Sequence, residues 1–109
     1  MCGILAVYSK NNKLDSEKCY KALDMLSQRG PDFNFSNIYQ NGSLFFGQTV
    51  LSITGNPQKN IDSYHQSTNG RYDLVLNGEV YNHKELYQKY IEGQMNIKTD
   101  CDTETLVNL

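Results

Sequence analysis

Cys2 has the most unusual chemistry within reach of any residue in the chain. If Met1 is removed, as a small second residue permits, one residue carries both a thiol and a free α-amine. An α-amine titrates at about 7.7 to 8.0 and a thiol near about 8.5, so nucleophile and base can share that residue near neutral pH. Read alone, Cys2 is more readily a small buried hydrophobe in the first strand. Asn77-Gly78 precedes Glu79 at a junction between two short strand-like pieces. Elsewhere the same dipeptide is an ordinary type I′ hairpin turn. Asp100-x-Asp102-x-Glu104 lacks the glycine and terminal glutamate of a calcium loop and reads as a helix start. His65 and His83 stand 18 residues apart with no second ligand at metal spacing, so both read as solvated side chains and no metal is expected. Neither a G-x-G-x-x-G run nor a P-loop occurs, so no cofactor is expected.

The elements that must position these residues follow from periodicity. Residues 2–8, Cys-Gly-Ile-Leu-Ala-Val-Tyr, form a nearly continuous apolar run and predict a buried strand. Asp15 or Ser16 caps a helix over about residues 16 to 28, with Cys19, Leu23 and Leu26 on one face and Gly30-Pro31 ending it. Two aromatic and β-branched runs, 35–40 and 43–53, flank Asn41-Gly42 and predict an antiparallel hairpin. Residues 54–70 are polar and aperiodic and read as a surface loop. Short strand-like pieces at 72–76 and 80–81 precede a helix over 84–92, and Asp102 opens a last short helix. The order of elements makes the fold class α+β within one domain spanning 1–109.

Composition narrows the function. With 109 residues, 39% hydrophobic and 20% charged, the chain is globular and has room for one ordinary core. A net charge of -2 and only two arginines, Arg29 and Arg71, argue against nucleic acid as a partner. No apolar run reaches the roughly 20 residues that span a bilayer, so no membrane association is expected. The three cysteines, an odd number without a signal sequence, point to a reducing cytoplasmic compartment.

Taken together, Met1-Cys2-Gly3-Ile4, Arg29-Gly30-Pro31-Asp32, Leu51-Ser52-Ile53, residues 77–83 (Asn-Gly-Glu-Val-Tyr-Asn-His) and Asp102-Thr103-Glu104 form an ordered set. This set closely resembles the N-terminal glutaminase domain of class II glutamine amidotransferases, and most of all the asparagine synthetase branch. Relatives acting with sugar phosphates or phosphoribosyl substrates stay open. The resemblance implies part of an αββα N-terminal-nucleophile hydrolase sandwich with antiparallel sheets. It also implies that Cys2 attacks the side-chain amide of glutamine, that Asn77 and Gly78 hold the oxyanion, and that Glu79 and Asp102 hold the substrate ammonium. Leu51 and Ile53 fall among the substrate-binding residues, while Arg29 and Asp32 support the nucleophile's loop.

The chain departs from the family's pattern in two respects. Where the resemblance implies an arginine clamping the glutamine carboxylate, this chain has Val50. A charge-assisted hydrogen bond contributes roughly 1.5 to 3 kcal/mol, so its loss weakens glutamine binding by about ten- to more than a hundredfold. The domain is also short, which leaves Leu44, Phe46, Leu74 and Leu76 at risk of facing water. Three arrangements follow: a fragment completed by a separate synthetase chain, a self-associating chain, or a decayed module that binds without catalysis.

Overall fold

The computed structural model describes residues 2–51 and 65–109. The chain divides into two compact units, one of Met1–Leu51 with Val75–Asn77 and the other of Ser52–Leu74 with Gly78–Leu109.

The first unit is a three-stranded antiparallel sheet with a helix on one face. Strand β1 (Gly3–Tyr8) and strand β2 (Phe33–Tyr39) both pair with strand β3 (Leu44–Val50), which takes the middle place. Gly3 lies opposite Thr49 and Tyr8 opposite Leu44, while Phe33 lies opposite Val50 and Tyr39 opposite Leu44. The strand read from the opening apolar run and the hairpin read around Asn41-Gly42 are both present. Three consecutive left-handed residues make the hairpin's turn, Gln40 (φ 52°), Asn41 (φ 57°) and Gly42 (φ 94°). Asn and Gly adopt that region readily, which is why this dipeptide marks the turn.

Helix α1 (Ser16–Asp24) starts where Asp15 accepts a hydrogen bond from the Lys18 N–H at 3.2 Å. That bond holds the Asp15 carboxyl below its ordinary range. The helix stops earlier than the predicted residue 28. The Leu26 carbonyl accepts the Thr49 hydroxyl at 3.0 Å, and a 3₁₀ turn over Ser27–Arg29 follows. Cys19 and Leu23 of α1 bury with Phe45, and Leu5, Val7, Leu14 and Ile38 close around them. Tyr20 meets Phe45 edge-on at 5.5 Å. Strand alternation sends Ile4, Ala6 and Tyr8 to the other face, with Phe46, Gln48 and Phe35 beside them.

In the second unit, helix α2 (His83–Tyr90) packs with helix α3 (Asp102–Val107). Both helices were legible in the sequence, with α2 starting one residue and ending two residues earlier than expected. Among the described residues of this unit Ile91, Cys101 and Val107 are buried and apolar, but buried polar groups outnumber them: His65, Ser67, Thr103, Glu104, Thr105 and Asn108. Of the predicted loop 54–70, residues 54–64 lie outside the described residues. The remainder is ordered by hydrogen bonds: Leu74 N–H donates to the His65 carbonyl at 2.7 Å, and Ser67 N–H to the Tyr72 carbonyl at 2.9 Å. His65 is therefore not the solvated side chain expected. It is fully buried, with Nδ1 2.8 Å from the Leu74 carbonyl oxygen. The strands expected at 72–76 and 80–81 do not form among the described residues, and only an isolated Gln66–Asp73 bridge appears there. No described helix is long and apolar enough to cross a membrane.

Candidate active site

Cys2 lies one residue before β1 and is half-buried, with its sulfur 3.9 Å from the Leu51 carbonyl oxygen. Its own carbonyl accepts a hydrogen bond from Arg29 Nε at 3.2 Å. The next residue, Gly3, donates its N–H to the Thr49 hydroxyl at 3.1 Å, and that hydroxyl donates in turn to Leu26. Two bonds from opposite sides thus fix the peptide between residues 2 and 3 and use neither the sulfur nor the nitrogen of Cys2.

Arg29 reaches this position because of Gly30. A Cβ on Gly30 would stand 2.3 to 2.4 Å from the backbone of Thr49 and Val50, a distance no side chain tolerates. The residue therefore marks a close approach of two backbones. It also ends the 3₁₀ turn as expected, its N–H donating to the Ser27 carbonyl at 3.1 Å, but with a φ of -151° in place of the left-handed value of a glycine cap. Asp32 N–H then donates to the Val50 carbonyl at 3.0 Å, and Pro31 bridges to Val50 in parallel. The four residues 29–32 are thereby stitched along the end of β3.

Val50 is buried at 3% exposure inside this stitching, and Leu51 beyond it is exposed. Ile53, the other candidate from that segment, lies outside the described residues. Asn77 belongs to the first unit with Val75 and Leu76. A residue that the sequence did not single out holds this stretch. Gln48 of β3 is 2% exposed, and its side-chain amide donates to the Leu76 carbonyl at 2.7 Å and accepts the Leu76 N–H at 3.0 Å. These two bonds occupy the backbone groups that the predicted strand would have offered to a ladder.

The second unit carries Gly78, Glu79 and Asp102. Gly78 and Glu79 are exposed, while Asp102 accepts the Val80 N–H through Oδ2 at 2.8 Å. Its other oxygen lies 3.4 Å from the Cys101 sulfur and 3.3 Å from the Thr103 hydroxyl. Two residues on, Glu104 is 1% exposed and binds the loop before α3: it accepts Lys98 N–H at 2.8 Å, Thr99 N–H at 2.7 Å and the Thr99 hydroxyl. A buried carboxylate with several donors is stable in place of a solvated one. The structure thus gathers Cys2, Arg29, Asp32, Leu51 and Asn77 within one unit, and Gly78, Glu79 and Asp102 within the other. Among the described residues no group of three or more acidic, histidine or cysteine side chains could hold a metal ion.

Comparison with known proteins points the same way. A family model described as a glutamine amidotransferase domain matches residues 1–109. A probable glutamine-hydrolysing asparagine synthetase of Acanthamoeba polyphaga mimivirus is 31% identical over 112 residues, covering 100% of this chain and 20% of that relative. An isomerizing glutamine–fructose-6-phosphate aminotransferase of Staphylococcus epidermidis is 36% identical over 134 residues, covering 100% of this chain and 22% of its own length. A glutamine-hydrolysing asparagine synthetase of Brassica oleracea is 30% identical over 105 residues, 94% of this chain and 17% of the relative. The chain therefore spans about a fifth of the length of these relatives. No solved structure matches it significantly.

Proposed function

Because the chain belongs to the glutamine amidotransferase domain family, we propose that it hydrolyses glutamine to glutamate and ammonia through Cys2. In this reading the Cys2 α-amine, freed by loss of Met1, takes the thiol proton as sulfur attacks the side-chain amide carbon. The same proton goes to the departing nitrogen, ammonia leaves, and a thioester forms. Water then attacks the thioester carbon, glutamate is released and the thiol is restored. The Asn77 side-chain amide and the Gly78 N–H stabilise the two tetrahedral oxyanions, and loss of one such donor typically costs about 10²- to 10³-fold in rate. Glu79 and Asp102 attract the substrate ammonium, Leu51 and Ile53 flank it, and Arg29 and Asp32 hold the nucleophile's loop.

The observation that carries this reading is the Arg29 bond to the Cys2 carbonyl at 3.2 Å, in a chain the family model matches from end to end. It anchors residue 2 through its carbonyl, not through its sulfur or nitrogen. Ammonia passes to an amide-forming partner, with asparagine formation the first choice and a separate synthetase chain or a second copy as the completing body. The three strands and helix of the first unit are part of an N-terminal-nucleophile sandwich in this proposal, and the compartment is the cytoplasm. The test is incubation of Met1-processed protein with glutamine. Glutamate release, and a covalent adduct with an electrophilic glutamine analogue that Cys2→Ala abolishes, is the expected result.

Val50 favours a second reading, a glutaminase-like module that binds without turnover. It is buried and apolar at the position where the resemblance implies a carboxylate clamp. If the clamp is what the chain lacks, Val50→Arg raises glutamate release. Absence of turnover in both proteins, with no adduct at Cys2, decides for the binding module.

A further inference from the structure

We propose that Gln48 is a positioning residue for the Asn77–Gly78 corner, and through that corner for oxyanion stabilisation; the second half rests on the glutaminase reading. Gln48 sits in the middle strand of the sheet, with Ile4 and Phe35 as its partners in register on either side. At 2% exposure its amide has little water to bond with, and both polar atoms are spent on one residue, Leu76. Only an amide matches this pair of groups, because Leu76 presents one donor and one acceptor. A carboxylate would meet the Leu76 carbonyl with lone pair against lone pair, and an aliphatic side chain would leave two backbone groups unpaired.

The clamp fixes the orientation of the peptide groups flanking Leu76, and Asn77 is the next residue. Residues 74–78 make no ladder pairing among the described residues, so Gln48 stands in for a neighbouring strand. Misplacement of a catalytic group by about 1 Å can cost roughly 10²-fold in rate. A side chain 28 residues away in sequence thus determines where the oxyanion donors begin.

Two variants test this in the whole chain. Gln48→Met keeps the length and apolar bulk without either bond, and Gln48→Asn keeps the amide but falls one methylene short. Hydrogen exchange at the Leu76 amide should accelerate about tenfold or more in both, with shifted resonances for Asn77 and Gly78 and unchanged exchange at the Leu5 and Val7 amides of β1. In the glutaminase assay both should lose about tenfold or more in kcat with KM within about twofold, while alkylation of Cys2 by iodoacetamide keeps its rate. Unchanged Leu76 exchange, or unshifted Asn77 and Gly78 resonances, overturns the proposal whatever the activity. A wild-type chain that releases no glutamate, with Leu76 exchange altered as expected, overturns the glutaminase reading and leaves the clamp standing. If one variant does not fold, the other decides.

Discussion

The first unit is held mainly backbone to backbone, with the Arg29 and Thr49 side chains added at residues 2 and 3, whereas the second fixes the surroundings of Asp102 mainly with side chains. Around Cys2 the sheet ladder, the Gly30 approach and the Asp32–Val50 bond hold main chain to main chain, over a core of Leu23, Phe45 and their neighbours. Around Asp102 the loop backbone hangs on the carboxylates of Asp102 and Glu104 and on Asn108, whose side chain joins the Glu104 carbonyl to the Thr68 N–H. A ladder tolerates many side chains but no intrusion between the paired backbones. A carboxylate hub tolerates intrusion poorly only at its own oxygens, so its weak points are individual side chains.

Substitutions can break this contrast. The largest effect is expected for Gly30→Ala, where the new methyl overlaps the Thr49–Val50 backbone. A loss of about 3 kcal/mol or more is expected by urea unfolding, with hydrogen-exchange protection falling in β3. Stability unchanged within error would show that the two backbones are not in contact. Glu104→Ala follows, at about 2 to 3 kcal/mol, because Lys98 and Thr99 lose a charged acceptor in a half-buried setting. Its loss of protection should concentrate at the Lys98 and Thr99 amides, and an effect centred on β1 instead would undo the contrast.

Thr49→Val sharpens the comparison, since it removes a side-chain hub of the first unit, bonded to both Gly3 and Leu26. About 1 to 2 kcal/mol is expected by thermal or urea unfolding, less than at Glu104, because the flanking ladder remains. Asp15→Ala should be the smallest effect, as an exposed helix cap. The Asp15 carboxyl titrates below its unfolded value, so its contribution is present above the ordinary carboxylate range and lost as pH falls through the lowered value. The difference in thermal midpoint between wild type and Asp15→Ala should accordingly vanish in acid, and a difference that persists there would assign the effect to something other than the charged cap.

The same contrast explains what the sequence made legible. Apolar runs, Asn41-Gly42 and the Asp15 cap act locally, and they placed β1, the β2–β3 hairpin and α1 within a few residues. Cys2, Arg29 and Asn77 stood out by type and order. Gln48, Thr49 and Glu104 did not, since what they do depends on a backbone group brought close by the fold, and no periodicity announces it. The strands expected at 72–76 and 80–81 were misread for a related reason. Val75 and Leu76 have strand-forming side chains, but Gln48 occupies the groups of Leu76 and Asp102 the N–H of Val80. His65 carried a polar side chain in a polar stretch, and its burial comes with a bond to the Leu74 carbonyl that only the fold brings near.

The middle place of β3 sets an order of events during synthesis. β1 leaves the ribosome first, yet its partner Thr49 lies 46 residues behind Gly3. At about 5 to 20 residues per second that separation lasts roughly 2 to 9 seconds. For that interval β1 has no ladder to join. The apolar residues of β1 therefore wait on later-made chain before a sheet can form around them.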